Sequence, residues 1–307
     1  MPASAAVAPS VPAPIERPRL ERITVVVNAA SGSVGPGAAA VVEQLVAERG
    51  YALTVLAPEP HDIEAAVREA VDAAPDLVLI LAGDGTARLA AELCGPDGPM
   101  VAPLPGGTLN MLPHALYGNL PWREALVAAL DHGVERKVSG GRVGGHAFYV
   151  AAILGSPALW AYAREAVRAG DLKEAWRRAA FALRRAFSGE LRYSLQGRPR
   201  RSAEAMVLIS PIVSRAMDEE VALEVAALEM HSAREVFRLA FNGLVSDWRR
   251  DPGVKVGACT RGSVWARRSI PAILDGEIQR LPRGVEFAFE PCAFRALVPP
   301  GDTQASL

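Results

Sequence analysis

Residues 79–90 read LILAGDGTARLA, and the character of the chain changes in the middle of this stretch. A run of leucine, isoleucine and valine over 76–81 predicts a buried parallel strand. The run stops where two glycines flank Asp84, and a helical pattern over 86–94 follows at once. A strand, a glycine-containing turn and a helix in direct succession form one unit of an α/β domain.

The same alternation fills the first half of the chain and then gives way to a different pattern. Further strands are predicted at 23–28, 51–56 and 100–104, and further helices at 36–50, 61–74, 109–117 and 121–131. After about residue 134, short β runs separated by Gly, Pro and charged turns predict antiparallel structure, with a helical insert at about 158–188. The predicted fold is therefore a three-layer α/β N-terminal domain with a mostly parallel sheet, followed by a C-terminal antiparallel β-sandwich with a helical insert.

These patterns also predict the domain limits. A Pro-, Ala- and Ser-rich stretch over 1–20 predicts a disordered tail. The α/β domain is expected over 21–133 and the β-sandwich over 134–298, and a return of the last strand to the first domain stays open.

Composition excludes several classes of protein. The chain has 307 residues and a formal net charge of −1, so no general basic field points to a nucleic-acid partner. Its three cysteines and five histidines lack the spacing of metal ligands. The cysteines are scattered and odd in number, which suits a reducing compartment. Neither a signal peptide nor a membrane-spanning stretch of about 20 apolar residues is present, and a cytoplasmic location is expected.

Three glycine-containing turns follow three of the predicted strands: NAASGS at 28–33, GDGT at 83–86 and PGGTLN at 105–110. The carboxyl ends of parallel strands share one edge of a sheet, where ligands bind. Small residues let backbone N–H groups approach an anion, and a helix N-terminus favours negative charge. One such turn is explained by turn geometry and helix capping alone, but three at one edge favour a phosphate-binding cradle. The candidate binding residues are Asn28, Ser31, Gly32, Gly83, Asp84, Gly85, Thr86, Gly106, Gly107, Thr108 and Asn110.

In this order, the turns resemble the motifs of the diacylglycerol kinase catalytic-domain family, which includes bacterial lipid kinases and sphingosine kinases. The family is related in fold to NAD kinases and phosphofructokinases. Its NPxSG motif is similar to 28–32, its GGDGT motif to 82–86, its PxGTxND motif to 105–111, and its late DGE motif to 275–277. The resemblance extends from about residue 22 to residue 298.

The resemblance implies transfer of the γ-phosphoryl group of ATP to a lipid hydroxyl, with Mg²⁺ as cofactor. The nucleotide would lie in the cleft between the domains, and the lipid site in the second domain. Asp84 would act through the metal, and either Asp275 or Glu277 would accept the hydroxyl proton. The best candidate for a further metal ligand is Asp218.

Departures from the family pattern keep two alternatives open. Ala82 replaces the first glycine of GGDGT, Met111 replaces the acid that often follows Asn110, and glycines are missing before Asp218. These changes allow a catalytically weakened nucleotide- or lipid-binding protein. Because GDGT is shared with NAD kinases, a nucleotide kinase of that type is the other alternative, although PGGTLN favours the lipid branch.

The predicted insert suggests a partner. Residues 158–201 contain eleven Lys or Arg residues and four acids, and an apolar stripe runs through Leu172, Trp176 and Leu183. A basic amphipathic helix of this kind lies on an anionic membrane surface, as a peripheral protein would. Packing of the stripe on the sandwich is an equal alternative. A homodimer formed through a sandwich edge also stays open.

Overall fold

The computed structural model describes residues 17–155, 191–214, 221–228 and 254–300. Three predictions therefore lie wholly or largely outside the described residues: most of the N-terminal tail, the helical insert and Asp218. Among the described helices, none combines the length and apolar character needed to span a bilayer.

The first half of the chain is an α/β domain whose strands are all parallel. The strand order is β2-β1-β3-β4. The strands are β1 (Arg22–Val27), β2 (Ala52–Leu56), β3 (Leu77–Ala82) and β4 (Met100–Pro105). The helices are α1 (Ala38–Ala47), α2 (Ile63–Asp72), α3 (Asp84–Cys94), α4 (Met111–Tyr117) and α5 (Trp122–His132), with a short 3-10 turn at Pro60–Asp62.

All five described helices begin one or two residues away from the predicted start, and two of these shifts affect the glycine turns. Gly83 is extended and takes the N-cap position, so α3 begins at Asp84 instead of Thr86. Asn110 adopts a left-handed conformation with φ of 52°, which a helix interior excludes, so α4 begins at Met111 instead of Leu109. As a result, Asp84 lies in the first turn of a helix and Asn110 lies at a sharp bend.

Burial and register bring the three glycine turns together. Every residue of β3 and of β4 is buried, because helices cover both faces of the parallel sheet. Ala82 pairs with Pro105, and the N–H of Asn28 donates to the carbonyl of Leu81 at 2.9 Å. The chain therefore leaves β1, β3 and β4 at the same edge of the sheet.

The second half is antiparallel. Its strands are β5 (Val134–Val143), β6 (His146–Phe148), β7 (Ala151–Gly155), β8 (Leu191–Leu195), β9 (Arg201–Ala203), β10 (Ala205–Ile209), β11 (Leu223–Leu228), β12 (Val254–Cys259), β13 (Arg261–Trp265), β14 (Ile270–Leu274), β15 (Glu277–Leu281) and β16 (Gly284–Val298). Six of them form a sheet in the order β12-β11-β10-β7-β14-β15. A core that includes Phe148, Met206 and Phe287 packs between this sheet and the strands β5, β8, β13 and β16. The predicted fold class, α/β followed by an antiparallel sheet domain, is confirmed.

Strand β16 belongs to both halves of the molecule. It pairs antiparallel with β5 and β13, and it meets β4 in parallel at Ala296 and Val101. Its register shifts between Glu290 and Phe294, where the strand passes from one half to the other. One mixed sheet of ten strands therefore runs through the molecule, and the two halves are not joined by a linker alone.

Candidate active site

The three glycine turns and the turn between β14 and β15 surround one cavity of about 580 Å³. The first three come from the α/β domain and the fourth from the antiparallel domain. The lining residues are Asn28, Ser31, Gly83, Asp84, Gly85, Thr86, Gly107, Thr108, Leu109, Asp275, Gly276, Glu277 and Ile278. The structure thus brings together most of the predicted site residues. Sequence reasoning did not select Leu109, Gly276 and Ile278, although each adjoins a motif residue.

Gly106 and Gly107 allow the turns to pack against one another. A Cβ atom on Gly107 would lie 2.8 Å from the Cα atom of Gly83. A Cβ atom on Gly106 would lie 2.8 Å from both the backbone N and the carbonyl oxygen of Ala82. Gly106 is not among the residues that line the cavity, so its role in binding stays a prediction. Its small size is required by the neighbouring strand end.

Asn110 and Gly32 also support the cavity without lining it. Asn110 is only 9% exposed, and its Oδ1 accepts a hydrogen bond of 2.7 Å from the N–H of Gly107. Its Nδ2 donates to the Gly107 carbonyl at 3.2 Å. A Cβ atom on Gly32 would lie 3.2 Å from the hydroxyl oxygen of Thr108. Both residues therefore shape the third turn, and their contact with a ligand stays a prediction.

The first and third turns are also hydrogen-bonded to each other. The N–H of Ser33 donates to the Gly106 carbonyl at 3.1 Å, and the Ser33 hydroxyl donates to the Pro105 carbonyl at 3.1 Å. The side chain of Asn28 accepts the N–H of Ala30 at 3.1 Å. Together with the glycine contacts, these bonds make the edge of the sheet a preorganised backbone surface.

Asp84 combines burial with an unused acceptor. Its Oδ1 atom is buried and has no hydrogen-bond partner in the described part of the chain. Burial raises the pKa of the Asp84 carboxyl, and the backbone N–H groups at 110–112 act in the opposite direction. A buried carboxylate oxygen without a donor is suited to bind a cation.

The Asp84 carboxylate suits Mg²⁺ better than a metal ion whose ligands must all come from the protein. Among the described residues, no three His, Cys, Asp or Glu side chains converge on one point. Mg²⁺ is bound through one or two carboxylates, with phosphate oxygens and water as its other ligands. The Asp84 carboxylate would supply the protein part of such a ligand set.

Both carboxylate oxygens of Asp275 accept hydrogen bonds from backbone N–H groups. Asp275 is 2% exposed, and it accepts the N–H of Tyr149 on Oδ2 at 2.7 Å. Its Oδ1 accepts the N–H groups of Val150 and Ala151 at 2.8 and 2.9 Å. Burial raises the pKa of Asp275 to about 6, while the three N–H donors act in the opposite direction. These bonds lie at the break between β6, which ends at Phe148, and β7, which starts at Ala151.

Glu277 is exposed and reaches across to the other domain. It is the first residue of β15, and its Oε1 lies 3.3 Å from the position that a Cβ atom on Gly85 would occupy. Its carboxylate therefore lies over the GDGT turn. Asp275 and Gly276 have φ of 48° and 86°, and they form the two-residue turn between the paired residues Leu274 and Glu277.

Comparison with known proteins agrees with this geometry. Residues 22–143, which carry the three glycine turns, match the family model of the diacylglycerol kinase catalytic domain. A search of curated proteins found no match.

Solved structures share the fold of nearly the whole chain. The crystal structure of a diacylglycerol kinase from Bacillus anthracis str. Sterne is 14% identical, with a TM-score of 0.67, and the match covers 92% of this chain and 99% of that one. Two further structures from the same organism, each 15% identical and with the same coverage, have TM-scores of 0.69 and 0.66. Residues 22–143 of this protein are therefore similar to the diacylglycerol kinase catalytic domain, and nearly the whole chain shares the fold of these solved structures.

Proposed function

We propose that the protein is an ATP-dependent lipid kinase that transfers the γ-phosphoryl group of ATP to a lipid hydroxyl, with Mg²⁺ as cofactor. One observation carries the proposal: a preorganised backbone cradle from one domain faces a free carboxylate, Glu277, from the other. A phosphoryl transferase requires little more than positioning, neutralisation of charge and a base for the attacking hydroxyl.

The cradle accounts for nucleotide binding. Residues of the turns at 83–86 and 107–109 line the cavity, and Thr86 and Thr108 are among them. Helix α3 is eleven residues long and starts at the cavity, so its N-terminal dipole favours the negative charge of a phosphate. These groups would hold the phosphates of ATP with the γ-phosphoryl group toward Glu277.

Asp84 is the residue that would hold Mg²⁺. The metal, when bound, would neutralise phosphate charge that the backbone donors leave uncompensated. The free oxygen of Asp84 is placed for this role, since no protein group in the described residues competes for it. Asp218, which the family pattern suggests as a further ligand, lies outside the described residues.

We assign the role of general base to Glu277 and a positioning role to Asp275. In the transfer, Glu277 accepts the proton of the lipid hydroxyl as the hydroxyl oxygen bonds to the γ-phosphorus and the bond to the ADP oxygen breaks. Asp275 accepts three backbone N–H groups, so its carboxylate is already used. Through these bonds it holds the turn that presents Glu277 to the cavity.

A nucleotide-binding protein with weakened catalysis is the second candidate, and Met111 is the observation that favours it. The thioether of Met111 lies close to the acid turn, 3.5 Å from the position of a Cβ atom on Gly276. It takes the place of an acid that the resemblance leads one to expect there. The loss of one carboxylate at this point would lower the charge available for a metal.

The test uses the purified full chain with γ-labelled ATP, Mg²⁺, and either mixed micelles that contain diacylglycerol or NAD. We expect label in the lipid, and we expect Asp84→Asn to lower transfer at least about a hundredfold while its circular dichroism spectrum is unchanged. Label on NAD would show a nucleotide kinase instead. ATP binding without transfer to either acceptor would favour the weakened protein, and near-normal turnover of Asp84→Asn would contradict the role of Asp84.

A further inference from the structure

Five exposed arginines surround Trp265 at one end of the antiparallel domain, and we call this set with Trp265 the basic surface. They come from the β8–β9 hairpin, the β13–β14 turn and the β15–β16 turn, which lie up to 91 residues apart in the chain. The five are Arg192, Arg200, Arg267, Arg268 and Arg283.

Sheet register and backbone contacts hold the basic surface together. Arg192 lies directly opposite Trp265 on the neighbouring strand. The N–H of Ala266 donates to the carbonyl of Arg283 at 2.7 Å, and Arg267 and Arg268 follow immediately in the chain. The cluster is therefore built by the fold and is not a run of charge in the sequence.

The indole of Trp265 is fixed at the centre of this surface. The guanidinium carbon of Arg200 lies 4.6 Å from the ring centroid, a cation–π contact. Gly284 leaves room for the ring, because a Cβ atom there would lie 2.9 Å from Cδ1 of Trp265. Trp265 is half-buried in this position, so part of its side chain stays exposed.

The arginines of the basic surface have no carboxylate partner among the described residues, whereas several arginines elsewhere in the fold do. Arg49, Arg142 and Arg295 each form an ion pair with a carboxylate. Over 17–155, 191–214, 221–228 and 254–300, none of the five arginines around Trp265 forms one. The protein as a whole has a net charge of −1, so this is a local concentration of positive charge. Unpaired like charges repel one another, and an anionic partner relieves that repulsion.

We propose that the basic surface docks the protein on an anionic lipid leaflet. A leaflet presents negative charge over a wide plane and can meet arginines from three separate segments at once. Tryptophan is enriched at membrane interfaces because its ring is amphipathic, which matches the place of Trp265 at the centre.

The position of the basic surface relative to the cavity suits this partner. Strand β15 leads from Glu277 at the cavity to Leu281, two residues before Arg283. Six residues of extended chain span about 20 Å. A bilayer is about 40–45 Å thick, so one lipid molecule is about as long as this separation. The reason for docking rests on the proposed lipid kinase function, but the docking itself is measured without ATP or turnover.

The experiment measures sedimentation of the full chain with vesicles of phosphatidylcholine alone or with added phosphatidylglycerol, at low and at high salt. The test variant carries Arg267→Gln, Arg268→Gln and Arg283→Gln. The control variant carries Arg19→Gln, Arg68→Gln and Arg123→Gln, which removes the same charge from exposed sites in the other half of the chain. Each basic residue at a leaflet contributes about fivefold in affinity, so we expect the test variant to bind about a hundredfold more weakly and the control to bind as the wild type does.

A second readout follows Trp265 itself. Addition of anionic vesicles is expected to shift tryptophan emission of the wild type to the blue, and Trp265→Phe is expected to lose that part of the shift. Wild-type vesicle binding by the test variant, or an equal loss in both triple variants, would overturn the proposal. Tighter binding of single-stranded nucleic acid than of anionic vesicles at the same salt would overturn it too. Failure of kinase activity with intact vesicle binding would reject only the proposed function.

Discussion

The separate roles of the two acids in the 275–277 turn can be tested directly with two isosteric substitutions. Glu277→Gln removes the free carboxylate over the GDGT turn, and Asp275→Asn removes the buried carboxylate behind it. If Glu277 is the base, its loss lowers kcat by about 10²–10⁴-fold, the usual contribution of a general base. Because Glu277 is exposed and forms no hydrogen bond or ion pair within the described residues, its loss leaves the free energy of unfolding nearly unchanged.

The expected loss of stability on Asp275→Asn follows from the three hydrogen bonds that the Asp275 carboxylate accepts. An asparagine oxygen can keep the donors at Val150 and Ala151, but its NH₂ group then faces the N–H of Tyr149. One buried donor is left unsatisfied, which costs about 1–3 kcal/mol. The neutral amide is spared the desolvation that raises the pKa of Asp275, so the lower part of that range is expected. The turn stays in place through the bond from the Asp275 N–H to the Ala151 carbonyl, and kcat is expected to fall about tenfold or less.

The assay combines phosphoryl transfer to lipid micelles with urea unfolding of each variant. Our assignment requires a large loss of kcat with normal stability for Glu277→Gln, and a loss of stability with a small loss of kcat for Asp275→Asn. The opposite pattern, a dead but fully stable Asp275→Asn beside an active Glu277→Gln, would show that Asp275 is the base and that its backbone bonds open during turnover.

Two further predictions concern stability. The pKa of Asp275 rises from 3.8 to about 6 on folding, so the native protein retains a proton there that the unfolded chain has lost. The contribution of Asp275 to the free energy of unfolding is therefore full below about pH 4 and falls by about 3 kcal/mol as pH rises past about 6, and urea titrations of the wild type should show a pH dependence that Asp275→Asn lacks. Gly107→Ala places a Cβ atom 2.8 Å from the Cα of Gly83, so we expect a destabilisation of about 1–3 kcal/mol in thermal unfolding together with weaker ATP binding. Gly257→Ala, which meets no atom within 4 Å, is the matched control, and equal effects of the two changes would contradict the packing argument.

The local sequence pattern was sufficient to predict the helices and strands of the first domain and most of the residues that line the cavity. Uninterrupted apolar runs such as 77–82 predict strands that helices cover on both faces, and the alternation with helices implies the parallel order. Since parallel strands end at a shared edge, the convergence of the three glycine turns also follows from the sequence. The motif resemblance then led to the 275–277 turn, which lies far along the chain and on another sheet.

The roles of individual residues depended on contacts that no local pattern contains. Gly106 and Asn110 belong to the motifs, yet one packs on Ala82 and the other bonds back to Gly107. Asp275 and Glu277 are both carboxylic acids and lie two residues apart, and burial with the backbone N–H groups of 149–151 distinguishes Asp275 from Glu277. The arginines around Trp265 are separated in the chain and become one surface through strand pairing.

The sequence by itself therefore determined the α/β and antiparallel architecture and the set of residues at the cavity, because periodicity and turn chemistry are local properties of the chain. The tertiary structure alone decided which of those residues line the cavity, which of the two acids is bonded to the backbone and where positive charge accumulates. These depend on long-range packing and on the burial of single polar atoms, which arise only when distant segments meet.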